Sequence, residues 1–323
     1  MLRKLGCLGV IAVLLVGGAA FWAANQWGGP GPAKANVTVE VPAGATMRSA
    51  AEAMEKAGAI RDADTFLWMA RIFGGDGPIQ AGEYQVPAGI SQADVLKMLQ
   101  GGRTLQRFVM VPEGMPSILV QERLAAAPQL GGKTVVPEEG SVLPDSYAYN
   151  RGDSRQAVLD RMQAAMKKYL AQAWAKRKPN IAVSTPEQAV ILASIVEKET
   201  GKAEERRMVA GVYSNRLKRG MPLQADPTVI YPVTKGKPLG RRILRSELQD
   251  KNGYNTYASA GLPIGPIANP GRASIDAVLD PAETNALYFV ADGTGGHIFA
   301  DTLEQHNANV QKWYALRRAR GEM

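Results

Sequence analysis

Apolar and polar residues are distributed along this chain in three different patterns, and each predicts a different kind of element. From Leu5 to Ala24 no residue is charged, and most are Leu, Val, Ile, Ala or Gly. As a helix this run is about 30 Å long, the thickness of a bilayer's hydrocarbon core. Arg3 and Lys4 precede it, and Phe21, Trp22 and Trp27 stand at its far end, where aromatic rings favour the water–lipid interface. The run therefore reads as a membrane anchor with its basic end cytoplasmic and everything after Trp27 outside. Ala19-Ala20 and Ala23-Ala24 also suit a signal peptidase, but the run is longer than a usual signal core. Cys7 reads as a buried apolar residue of the anchor. Gly28 to Lys34, rich in Gly and Pro, reads as a tether.

The second pattern recurs three times. Val37 to Val41 alternates apolar and polar, Val41-Pro-Ala-Gly44 forms a turn, and Met47 to Ala57 has helical spacing. Gly82 to Val86, Val86-Pro-Ala-Gly89 and Ser91 to Gln100 repeat the order, with Ser91 as N-cap. Arg107 to Met110, Val111-Pro-Glu-Gly114 and Ser117 to Ala126 repeat it again. The spacing is too uneven for a solenoid, so residues 36–108 are predicted to form a small α+β module and the third unit to open a connecting region, 109–180.

Long amphipathic helices make the third pattern. Arg155 to Arg177 carries Val158, Met162, Met166 and Leu170 on one face. The next helix starts with Thr185 as N-cap, Pro186 at its first position and Gln188 closing a capping box. It runs to Thr200, breaks at Gly201 and resumes from Ala203 to Arg219.

Composition narrows the chemistry. One cysteine and two histidines, His297 and His306, exclude an intramolecular disulfide and any Cys-based zinc site. No HExxH, GxxxxGK[ST] or GxSxG sequence occurs, so no metal, nucleotide or other cofactor is expected. The net charge of +8 would suit nucleic acid, but an extracytoplasmic address removes that partner and leaves anionic surfaces such as lipid headgroups or wall polymers.

On the Thr185 helix, Ala189, Leu192, Ile195, Val196 and Glu199 lie on one face. Glu199 thus extends an apolar stripe, at the end of the helix where the dipole disfavours a carboxylate. Desolvation acts in the same direction, and a carboxyl that keeps its proton is a candidate general acid. Glu197, which follows Val190, Ala193 and Ser194 on a neighbouring face, is an equal rival on spacing alone. Glu204 and Glu205, beside Arg206 and Arg207, read as ordinary charged surface. Downstream loops rich in amides and phenols, 223–231, 254–257, 261–271 and 293–299, suit sugar hydroxyls and N-acetyl groups, although turns use the same residues.

Ser194-Ile-Val-Glu-Lys-Glu-Thr200, Gln224-Ala-Asp-Pro-Thr-Val-Ile-Tyr231, Tyr254-Asn-Thr-Tyr257, Ile267-Ala-Asn-Pro-Gly271 and Tyr288-Phe-Val-Ala-Asp-Gly293 resemble the MltG (YceG-like) family of endolytic murein transglycosylases. The resemblance implies an α+β chain made of a transmembrane helix (1–27), a linker (28–35), a LysM-like module (36–108), the connecting region (109–180) and a lysozyme-like catalytic region (181–323). It implies a lytic transglycosylase of the inner membrane acting in the periplasm on peptidoglycan strands, with peptidoglycan synthases as partners. It puts the catalytic carboxyl on the second Glu of Glu-Lys-Glu-Thr, which is Glu199, and makes Gln224, Asp226, Tyr254, Asn255 and Tyr257 candidates for binding substrate. Two other readings stand beside it. One is a hydrolytic muramidase with Asp226 as second carboxylate; the other is a non-catalytic wall-binding scaffold. The basic segment from Lys235 to Arg245 departs from the family pattern, and its contacts stay open.

Overall fold

The computed structural model describes residues 2–74, 77–102 and 104–322, with side chains in the first helix from Ile11 onward except position 12. The chain divides into two compact units. The first runs through Arg107 and takes in Tyr149–Arg151; the second holds Phe108–Ala148 and the chain from Gly152 on.

The first unit comprises α1 (Leu2–Gly28), β1 (Val37–Val41), α2 (Met47–Lys56), α3 (Ala63–Phe73), β2 (Gly82–Val86) and α4 (Gln92–Gly101). Strands β1 and β2 pair antiparallel, with Val39 opposite Tyr84. Their alternation sends Val39, Val41, Tyr84 and Val86 inward against Met54, Phe66, Val95 and Leu99. The predicted strand, turn and helix units are present. Gly44 and Gly89 adopt φ of 78° and 68°, a left-handed turn that glycine enters without strain. Thr46 then caps α2 in a reciprocal box with Ser49, and Ser91 caps α4 through the Asp94 N–H. Helix α3, which buries Ala63, Phe66, Leu67 and Met69, has no counterpart among the predicted units.

Helix α1 carries a long apolar surface that is exposed from Val13 to Val16 and at Phe21 and Trp22. Among the described residues no helix is long and apolar enough to cross a membrane. Arg3, Lys4 and Cys7, including the reading of Cys7 as a buried anchor residue, lie outside the described side chains. The segment after α1 is not a free tether. Trp27 packs against Phe66 and Phe73, the Arg61 guanidinium donates to Gln26 Oε1 and the Pro30 carbonyl, and Gly31 and Ala33 bond the Gly89 backbone.

The second unit continues the chain with β3 (Arg107–Met110), α5 (Ser117–Ala126), β4 (Ser146–Tyr149), α6 (Arg155–Ala175), α7 (Pro186–Glu199), α8 (Arg206–Lys218), α9 (Asp226–Thr234), α10 (Arg245–Gln249), α11 (Arg272–Leu279), β5 (Tyr288–Ala291), β6 (His297–Ala300) and α12 (Leu303–Ala319). Helix α7 lies at its centre, in contact with α6, α8, α9 and α11. Leu192, Ile195, Val196, Val209, Tyr213, Ile275 and Val278 make one continuous core. Strands β5 and β6 form an antiparallel hairpin with Phe289 opposite Phe299. The basic segment is held by ion pairs, Lys237 with Glu122 and Arg241 with Glu247.

Core position and surface position separate sharply on α3. Phe66 is fully buried and Trp68 is half exposed, so Phe66→Ala should cost about 3–5 kcal/mol and Trp68→Ala no more than about 0.5 kcal/mol. Urea unfolding of both variants measures this, and equal losses would contradict the packing described.

Candidate active site

Seven residues of α7 from Ala189 to Val196 are buried, leaving only the strip of Glu187, Ile191 and Lys198 toward the surface. Such a helix holds its end rigidly. Its start is fixed by the Thr185 hydroxyl, which accepts from the Gln188 N–H, while Gln188 Oε1 reaches back to the Ser184 N–H. Its last residue is Glu199, where Thr200 turns to extended backbone. Glu199 is partly exposed as a residue, yet its Oε1 is buried and makes no hydrogen bond. Burial pushes this carboxyl up to about 7, and the nearby Asp226 charge adds to the effect. Hydrogen bonding from the Tyr213 hydroxyl and the charge of Arg216 oppose it without cancelling it.

Glu197 has the contrary surroundings. Its Oε2 accepts from the Gly271 N–H at 2.9 Å, at the start of α11, and its Oε1 faces the Arg206 guanidinium at 3.7 Å. Both oxygens are engaged in holding α11 and α8 to α7. Periodicity leaves the two glutamates equivalent; tertiary partners distinguish them.

The residues around Glu199 come from α8, α9 and the loop before α11. Tyr213 and Arg216 project from α8 into the core, and neither stood out in the sequence. Val209, Val212, Tyr213 and Arg216 form a buried stripe at helical spacing, the same kind of signal that singled out Glu199. The Arg216 guanidinium donates to the Leu287 and Leu223 carbonyls at 2.6 and 2.8 Å, and burial lowers its pKa. Gln224 is exposed in a left-handed conformation, φ 54°, with its Oε1 at 3.4 Å from Arg216 Nη1.

Asp226 opens α9 and accepts the Tyr257 hydroxyl at 2.6 Å. Tyr257 is pushed well above the ordinary phenol value, by burial first and then by that bond and the Glu199 charge. Tyr254 packs on Tyr231 with ring centroids 4.8 Å apart, and the Tyr231 hydroxyl donates to Glu139. Asn255 is different. Its amide N–H groups donate to the carbonyls of Glu247, Leu248 and Asp250, and its oxygen accepts from the Tyr257 N–H. Saturated in this way, it is corrected from a substrate contact to the residue that shapes the loop carrying Tyr254 and Tyr257.

A second correction concerns Glu205. It is not surface charge, because its side chain is largely buried and bonded to His297 and Thr200. A cleft of about 480 Å³ is lined by Pro116, Lys198, Pro227, Tyr231, Lys237 and Ile267, and by none of the residues around Glu199. A larger cavity of about 850 Å³ lies against Arg207, Gly211, Ser214 and Lys218, a different face of α8 from Tyr213 and Arg216, and none of the residues around Glu199 lines it.

A carboxyl that retains its proton near neutral pH, with one oxygen unengaged, can give a proton to a leaving oxygen and take one back. This is the apparatus of general acid–base catalysis. Residues 39–312 match the YceG-like family, and the chain belongs to it. The endolytic murein transglycosylase of Bacillus subtilis (strain 168) is 29% identical over 313 residues, covering 87% of this chain and 85% of the relative. That of Streptococcus pneumoniae (strain D39) is 29% identical over 327 residues, covering 86% of this chain and 58% of its own length. The crystal structure of a YceG-like protein from Listeria monocytogenes matches with a TM-score of 0.54 at 27% identity, covering 85% of this chain and 99% of that one.

The raised carboxyl carries a thermodynamic signature. The ordinary Glu value is 4.5 and the folded one about 7, so in that window the folded chain keeps a proton that the unfolded chain has released. Its contribution to stability is whole below the lower value and is lost as pH rises through the upper one. Glu199→Gln should therefore gain about 1–3 kcal/mol relative to wild type between roughly pH 4 and pH 8. Denaturant unfolding at both pH values measures the difference; a constant one would place the carboxyl in water.

Proposed function

We propose that this chain is an endolytic lytic transglycosylase of peptidoglycan in which Glu199 is the single acid and base. The observation that carries the reading is the buried carboxyl at the end of α7, one oxygen of which has no hydrogen-bond partner and whose pKa is pushed up to about 7, in a chain of the YceG-like family. In the first step Glu199 gives its proton to the oxygen between MurNAc and GlcNAc as the bond from MurNAc C1 to that oxygen breaks. In the second, the carboxylate takes the proton of the MurNAc 6-hydroxyl while that oxygen bonds to C1. The product is a 1,6-anhydro sugar, the proton has returned, and no water is consumed. Gln224, Tyr254 and Tyr257 orient the sugar in this reading, and Asp226 acts by holding the Tyr257 hydroxyl. Most glycosidases use two carboxylates; here the second oxygen nucleophile comes from the substrate.

Residues 36–108 are the LysM-like module in this proposal and bind the same polymer. Helix α1 is a single-pass inner-membrane anchor with a cytoplasmic N-terminus, and the catalytic unit is periplasmic. The exposed apolar surface from Val13 to Trp22 supports this, since a patch of that length is otherwise left in water. Attachment keeps the enzyme at high local concentration where new strands emerge, so its substrate is nascent glycan, its partners are the synthases, and its effect is to end strand elongation.

Glu199→Gln should keep the fold and wall binding while turnover falls at least about a thousandfold. Wild-type activity should decline as pH rises through about 7, where the acid loses its proton. Mass spectrometry of the glycan products decides the chemistry: anhydro ends support transglycosylation, and products heavier by one water support a muramidase. In cells, a form lacking residues 1–27 at matched abundance should cleave isolated glycan yet leave strands long. Equal shortening by that form would refute the anchoring part of the proposal.

A further inference from the structure

The polypeptide leaving Glu199 is fastened by a group of hydrogen bonds that the proposed chemistry does not use. Thr200, buried at the end of α7, donates its hydroxyl to Glu205 Oε2 at 3.2 Å and accepts from the Lys202 N–H at 3.1 Å. Glu205 Oε1 accepts from the His297 N–H at 3.0 Å, and Oε2 lies 2.7 Å from His297 Nδ1. Burial raises the Glu205 carboxyl, but the His297 ring and N–H and the Thr200 hydroxyl outweigh it and leave the value below the ordinary one. An ionised carboxylate requires the proton on Nδ1, which fixes the tautomer and the plane of the ring.

That ring continues the connection by packing. His297 meets the edge of Phe289 at 5.1 Å, and Phe289 meets Tyr213 edge-on at 5.8 Å. Tyr213 in turn bears on the Glu199 carboxyl. Two routes therefore start at the Glu205–His297 pair and end at Glu199, one through the backbone of Thr200 and one through aromatic rings. The site for the pair is built to size. A Cβ on Gly296 would fall 2.4 Å from Glu205 Oε1 and 2.5 Å from Lys202 Nζ, so no side chain fits there without displacing the carboxylate.

We infer that Glu205 and His297 are positioning residues that, through Thr200 and the Phe289–Tyr213 stack, hold the Glu199 carboxyl in its desolvated place. The inference rests on Glu199 being the acid, and it goes further by assigning what keeps that acid in place. Neither residue touches the sugar. A loosened α7 end would admit water to Glu199, whose charged neighbours and phenols are Tyr213 and Arg216 on α8, Asp226 on α9 and Tyr257 on the following loop.

The test uses the full-length chain on isolated glycan strands across pH. Thr200→Ser keeps the hydroxyl and should stay within about twofold of wild type, while Thr200→Val and His297→Phe should lose roughly ten- to a hundredfold in kcat with KM nearly unchanged. In those two variants the alkaline limb of the activity profile should move to lower pH, because a hydrated carboxyl loses its proton earlier. Gly296→Ala should give the same signature by a different route. Wild-type kcat and an unmoved limb in Thr200→Val and His297→Phe would overturn the inference. So would a loss of kcat that follows a falling Tm with the limb in place. If His297→Phe does not fold, the Thr200 pair decides alone. Glu199→Gln in the same assay tests the acid assignment separately, since its inactivity stands whatever the other variants do.

Discussion

The second unit depends on the removal of one carboxyl from water. Desolvating Glu199 has value for proton transfer only if the group cannot escape back to solvent, and that condition reaches far into the fold. It requires a helix buried over most of its circumference, so that the last residue of α7 has little freedom to swing. It requires neighbours that supply little compensation: a fully buried phenol, and a guanidinium whose hydrogen bonds are largely taken by backbone carbonyls. Had Arg216 been free to reach Glu199, the carboxyl would have ionised and become an ordinary ion pair.

The same logic explains why two glutamates two residues apart do different work. Glu197 binds a helix N–H and faces an arginine, and its charge is part of the scaffold. Removing it would leave the Gly271 N–H without its carboxylate and Arg206 with Glu113 alone, loosening α11 and α8 from α7. Glu199 has been deprived of such partners. One carboxylate fixes the elements and the other keeps an oxygen unengaged, and the division is made by what each side chain meets on the neighbouring helices.

How much of this was legible beforehand varied with the range of the interactions concerned. The strand, turn and helix units, the Ser91 and Thr185 caps and the helical stripe ending at Glu199 are local, and the chain's spacing contains them. Choosing between Glu197 and Glu199 was beyond periodicity, because Gly271 lies 74 residues away from Glu197. Glu205 looked like surface for the same reason, its partner His297 being 92 residues on. Helix α3 falls outside the recurring strand, turn and helix units that the spacing picks out, and Asn255 was misread because an amide that folds a loop has the same sequence signature as one that binds a ligand. Arg216 was legible by the rule that found Glu199: a charged residue that continues an apolar stripe is buried for a reason.

The strapping of residues 29–36 along the first unit changes what kind of object the connection from α1 to the module is. A Gly/Pro segment in water is a leash, and its end wanders over a range of heights that grows with the square root of its length. Here Gly31 and Ala33 are bonded to Gly89, Asn36 accepts from the Ala88 N–H, and Arg61 clamps the end of α1. On the anchored reading the connection behaves as a bracket, rigid from the bilayer to the module. The module's stand-off distance then becomes a built dimension instead of a statistical one, and it would change in discrete steps with the module's own structure, not gradually with linker length.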